Sequence, residues 1–126
     1  MKLLLWAMVG GALGSGVRHS VNVGMGRWLG SGFPWWTMFV NVTGSFAMGL
    51  LIEAFALKFQ ISQEVRTFLM TGVLGGYTTF SAFSMDFALL MQRHDYAAAA
   101  LYLAASVALS ILALYAGLWL IRALPA

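Results

Sequence analysis

Between Tyr96 and Ile121 the chain carries no Asp, Glu, Lys, Arg or His. Coiled as an α-helix, that run would reach about 39 Å, against about 30 Å for the hydrocarbon core of a bilayer. A charge-free segment of this length needs lipid or a large protein interior, and 126 residues cannot build the latter. Only 9% of the residues are charged and 61% are hydrophobic, whereas soluble domains carry roughly 25% charged residues. Too few charges remain to cover a water-facing surface. The hydrophobic load excludes a disordered chain, and the absence of cysteine excludes a disulfide-stapled fold or a cysteine-ligated metal site. The composition implies an all-α integral membrane protein.

Charges and turn residues divide the chain into four apolar blocks, so residues 1–126 read as one transmembrane domain of four helices. The approximate spans are 3–28, 35–57, 65–91 and 96–121. A Gly-Ser-Gly-Phe-Pro stretch at 30–34 ends the first, Lys58 to Glu64 follows the second, and Gln-Arg-His-Asp at 92–95 closes the third. The third block is also longer than a membrane is thick. Gly75-Gly76, followed by Thr78-Thr79, predicts a helix break near the pair, and broken backbone at membrane depth is tolerated only inside protein or beside water. Lys2 and the apolar run after it resemble a signal peptide superficially, but cleavage would discard a glycine-rich face. That face holds Gly10, Gly11, Gly14 and Gly16; Gly44, Ser45, Ala47 and Gly49 form another in the second span. Such faces let helices pack closely in lipid and require no chemistry of their own.

Four spans put Lys2, Lys58, Arg66 and Arg122 on one side of the membrane and Arg18, Arg27 and Arg93 on the other. Orientation follows Lys/Arg asymmetry, and four against three is almost none. Copies are therefore expected to insert both ways up and to pair as an antiparallel, dual-topology homodimer. Two inverted halves within one chain would need more residues than this, so a second copy supplies the other half.

Thr37, Asn41 and Ser45 recur at i, i+4 and i+8 in the second span, and Tyr102, Ser106 and Ser110 do so in the fourth, placing each set on one helix face. Interhelical hydrogen bonding accounts for isolated hydroxyls; two strips in so apolar a chain also point to a path. After the third-span glycines, Phe80 and Phe83 share a face that Phe87 continues. The deep polar groups are mostly donors, and phenyl rings present a positive edge, which suits a small hard anion. The acidic candidates within the spans are Glu53 and Asp86 alone, too few for a carboxylate relay. No nucleophile, base and orienting group form a set, so the chain is read as a non-enzyme.

The run Gly75-Gly-Tyr-Thr-Thr-Phe-Ser-Ala-Phe-Ser84, with Thr37-Met-Phe-Val-Asn41, Arg18 and the Tyr102–Ser106–Ser110 ladder, resembles the Fluc (CrcB) fluoride channels over all four spans. The resemblance implies a passive fluoride-selective channel that exports cytoplasmic fluoride through two pores in an antiparallel dimer. It implies that Asn41 offers its amide to fluoride, that Phe80 and Phe83 line the pores by their ring edges, and that Thr37, Tyr102, Ser106 and Ser110 continue a polar track. It also implies a vestibule at Arg18 and a structural Na⁺ at the dimer interface, held by backbone carbonyls of Gly75 and Thr78. One departure is Asp86, where the family often has Glu, which leaves its role open. His19 and His94 match no assigned role and read as loop or interfacial residues. Trp6, Trp28, Trp35, Trp36 and Trp119 read as interface anchors.

The alternative is a small multidrug exporter, also of four spans and dual topology, exchanging protons for cationic drugs. Its first span would need a deep carboxylate, where this chain carries Arg18. A non-transporting assembly subunit would explain the glycine faces but not the two strips. The partners expected are fluoride, membrane lipid and a second copy, with no nucleic acid, in the inner (plasma) membrane as a multi-pass protein. A C-terminal reporter readable on either face is expected to register on both sides of the membrane in whole cells; signal from one side alone would remove the dual topology.

Overall fold

Lys2–Leu29 forms one continuous helix, α1, in the computed structural model, which describes residues 2–30 and 32–125. Met1, Ala126 and Ser31, the last within the 30–34 turn stretch, lie outside the described residues. Gly30 follows α1 with φ +80, the left-handed geometry that glycine adopts without steric cost just past a helix end. Trp35–Leu57 is α2, entered from Pro34, whose missing N–H costs nothing at a helix start. The third block opens with α3, Gln63–Arg66, where Ser62 Oγ accepts the Val65 N–H at 3.2 Å. It continues as a π-helical stretch, Thr67–Leu74, and then as α4, Gly75–Tyr77. Two extended residues, Thr78 and Thr79, separate this from α5, Phe80–Gln92. A turn with His94 at φ 59 leads to α6, Tyr96–Ala123. The described residues contain no strand.

The break falls at Thr78-Thr79, just past the Gly75-Gly76 pair near which it was expected. Of the pair, Gly76 is packed against α1 through its missing side chain, as is Gly72 one turn earlier, whereas Gly75 has only an ordinary contact. A Cβ at Gly76 would lie 2.6 Å from the Gly11 carbonyl oxygen, and one at Gly72 would lie 2.8 Å from Gly10 Cα. The third block therefore lies backbone to backbone along the glycine face of α1. The same device joins α2 to α6: a Cβ at Gly117 would meet Leu50 N at 2.8 Å, and one at Gly49 would meet the Leu114 carbonyl carbon at 3.0 Å. Gly16 has nothing within 4 Å of its Cβ position, so it takes no part in the contact. The helix ends are tied as well. Arg122 Nε donates to Glu53 Oε2 at 2.8 Å, and Lys58 Nζ donates to the carbonyls of Leu124 and Pro125 at 3.2 and 3.1 Å.

Helices α2 and α6 are long and apolar enough to cross a membrane by length and composition. Leu4, Leu13, Val17, Leu101, Leu112 and many other large apolar side chains point outward, as lipid requires and water would punish. Trp6 and Trp119 are exposed near one end of the bundle, and Trp28 and Trp35 near the other. The buried cluster of Met38, Phe83, Leu90, Ala99 and Tyr102 sits where α5 packs between the start of α2 and the start of α6. Gly76→Ala should lower the unfolding free energy by about 1–3 kcal/mol through overpacking, whereas Gly16→Ala should leave it unchanged or raise it slightly. Thermal unfolding of the two variants in detergent checks the contrast.

Candidate functional site

Breaking a helix frees backbone groups that must find partners, and Asn41 supplies them. Its Oδ1 accepts the Thr79 N–H at 2.7 Å, and its Nδ2 donates to the Thr79 carbonyl at 3.0 Å. The side-chain amide thus pairs with Thr79 as a neighbouring strand would. An amide nitrogen has two hydrogens, so one donor on Asn41 is left. Thr79 also caps the next helix, its Oγ1 accepting the Ala82 N–H at 3.1 Å. Thr78 folds back instead, its N–H and Oγ1 both donating to the Leu74 carbonyl at 3.0 and 2.9 Å.

A groove of about 320 Å³ opens beside this break, lined by Asn41 and Ser45 of α2, Phe80 and Phe83 of α5, and Ser106 and Ser110 of α6. Five of the seven residues that the resemblance assigns to the pore, Asn41, Phe80, Phe83, Ser106 and Ser110, therefore meet in one space. Phe80 and Phe83 stack with ring centroids 5.5 Å apart and planes at 49°. They differ in setting: Phe83 is 6% exposed, while Phe80 is 76% exposed and has little of this chain against its outer side. Ser106 is 5% exposed, and its Oγ has no hydrogen-bond partner. A second hollow of about 420 Å³ contains Arg18, His19, Asn22 and Ser81. Thr79 lines both spaces, so the Arg18 hollow and the aromatic groove adjoin at the break.

Thr37 and Tyr102, the remaining members of the two strips, do not line the groove. They are packed into the protein, Thr37 at 2% and Tyr102 at 0% exposure. Tyr102 stacks on Phe83 at 5.0 Å, and its hydroxyl donates to Asp86 Oδ2 at 2.9 Å. The i, i+4, i+8 spacing places each set on one face but does not state how far along that face a cavity runs. Asp86, left open in the sequence, is buried and joined to the track through this bond. Glu53 is occupied by Arg122, so both carboxylates within the spans are engaged. His94 Nδ1 lies 2.7 Å from the Tyr96 hydroxyl in the exposed α5–α6 turn.

Thr79 was not singled out as a site residue in the sequence. A hydroxyl residue immediately before an apolar helical run is a capping signal, and Thr79 before Phe80 satisfies it. Its pairing with Asn41, 38 positions away in sequence, leaves no local trace. Among the described residues no group of three or more His, Cys, Asp or Glu could hold a metal; the ligands that the family resemblance implies are backbone carbonyls. The extended pair parts four carbonyls, those of Gly75, Gly76, Tyr77 and Thr78, from their helical N–H partners, and the family resemblance singles out Gly75 and Thr78. The Gly75 carbonyl would take the Thr79 N–H, and the Thr78 carbonyl would take the Ala82 N–H. Both N–H groups are engaged elsewhere.

Residues 5–118 match a family model described as CrcB-like protein, Camphor Resistance (CrcB). A protein of Chelativorans sp. (strain BNC1) named Fluoride-specific ion channel FluC is 56% identical over 124 residues, 98% of this chain and 99% of its own length. A protein of the same name from Rhodopseudomonas palustris (strain BisB5) is 57% identical over 120 residues, 95% of this chain and 97% of its own. Another, from Sphingopyxis alaskensis, is 51% identical over the whole of both chains. Tyr102→Phe should cost about 1–3 kcal/mol of stability by leaving the buried Asp86 carboxylate without its donor, and the double variant Tyr102→Phe/Asp86→Asn should recover part of it. Unfolding in detergent measures both.

Proposed function

This chain belongs to the CrcB family, and from that premise we propose that it carries fluoride passively out of the cytoplasm through a narrow path beside the third-block break. It is a fluoride-specific ion channel and not an enzyme. That family assignment also disposes of the multidrug-exporter alternative. Among the described residues, the two carboxylates that such an exporter could use, Glu53 and Asp86, are already bound to Arg122 and Tyr102.

The observation that carries the reading is the groove in which Asn41, Phe80, Phe83, Ser106 and Ser110 converge. Fluoride sheds water only where donors replace it. The free amide hydrogen of Asn41, the unpartnered Ser106 hydroxyl and the ring edges of Phe80 and Phe83 offer weak, distributed contacts. Conduction needs such moderate sites, since a full positive charge would hold the ion. Arg18 stands in the adjoining hollow rather than in the groove, where it raises the local anion concentration without trapping the ion. Thr37 and Tyr102 continue the track toward Asp86. Hydrogen fluoride crosses lipid and dissociates inside the cell, so a channel driven by the membrane potential suffices for export.

The same proposal includes an antiparallel homodimer with two pores in the inner membrane, each copy crossing it several times with lipid around the outward apolar side chains. Phe80 supports this reading: it lines the groove of its own chain yet leaves one ring face for a second copy to cover. It includes Na⁺ as well. The carbonyls of Gly75 and Thr78 would hold it, and a hard cation fits oxygen donors released from helical pairing. When bound, the ion supplies a fixed positive charge and joins the two copies. Liposomes containing only this protein should release fluoride on addition of a potassium ionophore and retain chloride. Equal release of both ions would refute a selective pore. Replacing Phe80 or Phe83 with isoleucine should slow fluoride release at least tenfold while the dimer persists in size-exclusion chromatography.

A further inference from the structure

The break parts the carbonyls of Gly75, Gly76, Tyr77 and Thr78 from the N–H groups four residues on. Two side-chain hydrogen bonds occupy the N–H groups that Gly75 and Thr78, the two the sodium reading requires, would have accepted. In an uninterrupted helix the Thr79 N–H would close on Gly75 and the Ala82 N–H on Thr78, four residues back in each case. Asn41 Oδ1 takes the first N–H at 2.7 Å, and Thr79 Oγ1 takes the second at 3.1 Å. The remaining contacts favour the same arrangement. Asn41 Nδ2 holds the Thr79 carbonyl at 3.0 Å, and Thr79 has φ −154 and ψ 121, so the chain is locked extended at the point where the helix would otherwise continue.

We propose that Asn41 and the Thr79 hydroxyl are positioning residues for the cation at the break: by diverting two backbone N–H groups they leave the Gly75 and Thr78 carbonyls unpaired and available to Na⁺. Neither side chain touches the ion. Asn41 therefore serves both ions, offering one amide hydrogen toward the anion path and using its oxygen to keep a cation ligand free. Thr79 lies between the Arg18 hollow and the groove yet acts through its cap. Loss of either contact returns an N–H to its helical acceptor or leaves the break without support.

This inference rests on the sodium reading above, and the test separates the two. Purified protein in detergent is unfolded thermally while sodium replaces N-methyl-D-glucamine at constant ionic strength. The wild type should gain stability with a saturating sodium dependence. In Thr79→Ala and in Asn41→Ala the half-effective sodium concentration should rise about tenfold or more, the usual cost of losing a contact that orients metal ligands. Thr79→Ser retains the capping hydroxyl and should stay within about twofold of the wild type. A wild type indifferent to sodium overturns the sodium reading and this inference with it. A sodium-responsive wild type whose Thr79→Ala and Asn41→Ala variants keep its half-effective concentration overturns this inference alone. Should Thr79→Ala fail to assemble, Asn41→Ala against Thr79→Ser decides in the same way.

Discussion

The pairing of the Asn41 amide with the backbone of Thr79 is the contact on which the rest of the site depends. Backbone N–H and C=O groups left bare in a lipid environment cost several kcal/mol each, so a helix can stop mid-membrane only if something answers for them. A single side chain from α2 does so at both Thr79 groups. With that anchor the chain can run extended for two residues and restart as α5, which places Phe80 and Phe83 beside the hydroxyls of α6. Without it, the third block would have every reason to remain one helix, and neither the groove nor the released carbonyls would exist.

Close packing of backbones supplies the frame for this anchor. Gly72 and Gly76 bring the third block against Gly10 and Gly11 of α1, while Gly49 and Gly117 do the same for α2 and α6. In lipid no hydrophobic force drives helices together, so dispersion over closely opposed backbones must do it. Gly44 carries the link to the site: a Cβ there would lie 3.1 Å from the Tyr77 ring and would press on Thr78. The small faces of α1 and α2 were legible as packing surfaces, whereas the third-block glycines were read as a break and Gly117 was not singled out. Which face meets which helix was not legible, because many pairings are compatible with the same spacing.

The observed helix ends lie beside charges and turn residues such as Pro34, Lys58 and Arg93, which mark where a chain leaves an apolar medium. The two polar strips were legible from their helical period. Their fates differ, however. Asn41, Ser45, Ser106 and Ser110 open onto the groove, whereas Thr37 and Tyr102 are buried near Asp86. Depth along a helix face depends on the tilt and height of neighbouring helices, which no single helix encodes. The π-helical stretch Thr67–Leu74 also had no signature in composition, since it adjusts the third block to its neighbours rather than following local preference.

What the sequence determined by itself was the medium, the number of apolar blocks and the faces on which polar groups would lie. Each of these follows from hydrophobicity and helical period, which are local properties. The GGYTTFSAFS run also carried the family resemblance. Where the third helix breaks was set by contacts between helices. The glycine pair looked weakest by propensity, yet the break lies two residues on at Thr78-Thr79, where Asn41 pairs with the backbone, while Gly76 serves as a contact surface against α1. A helix ends where its backbone finds other partners, and those partners come from a different part of the chain.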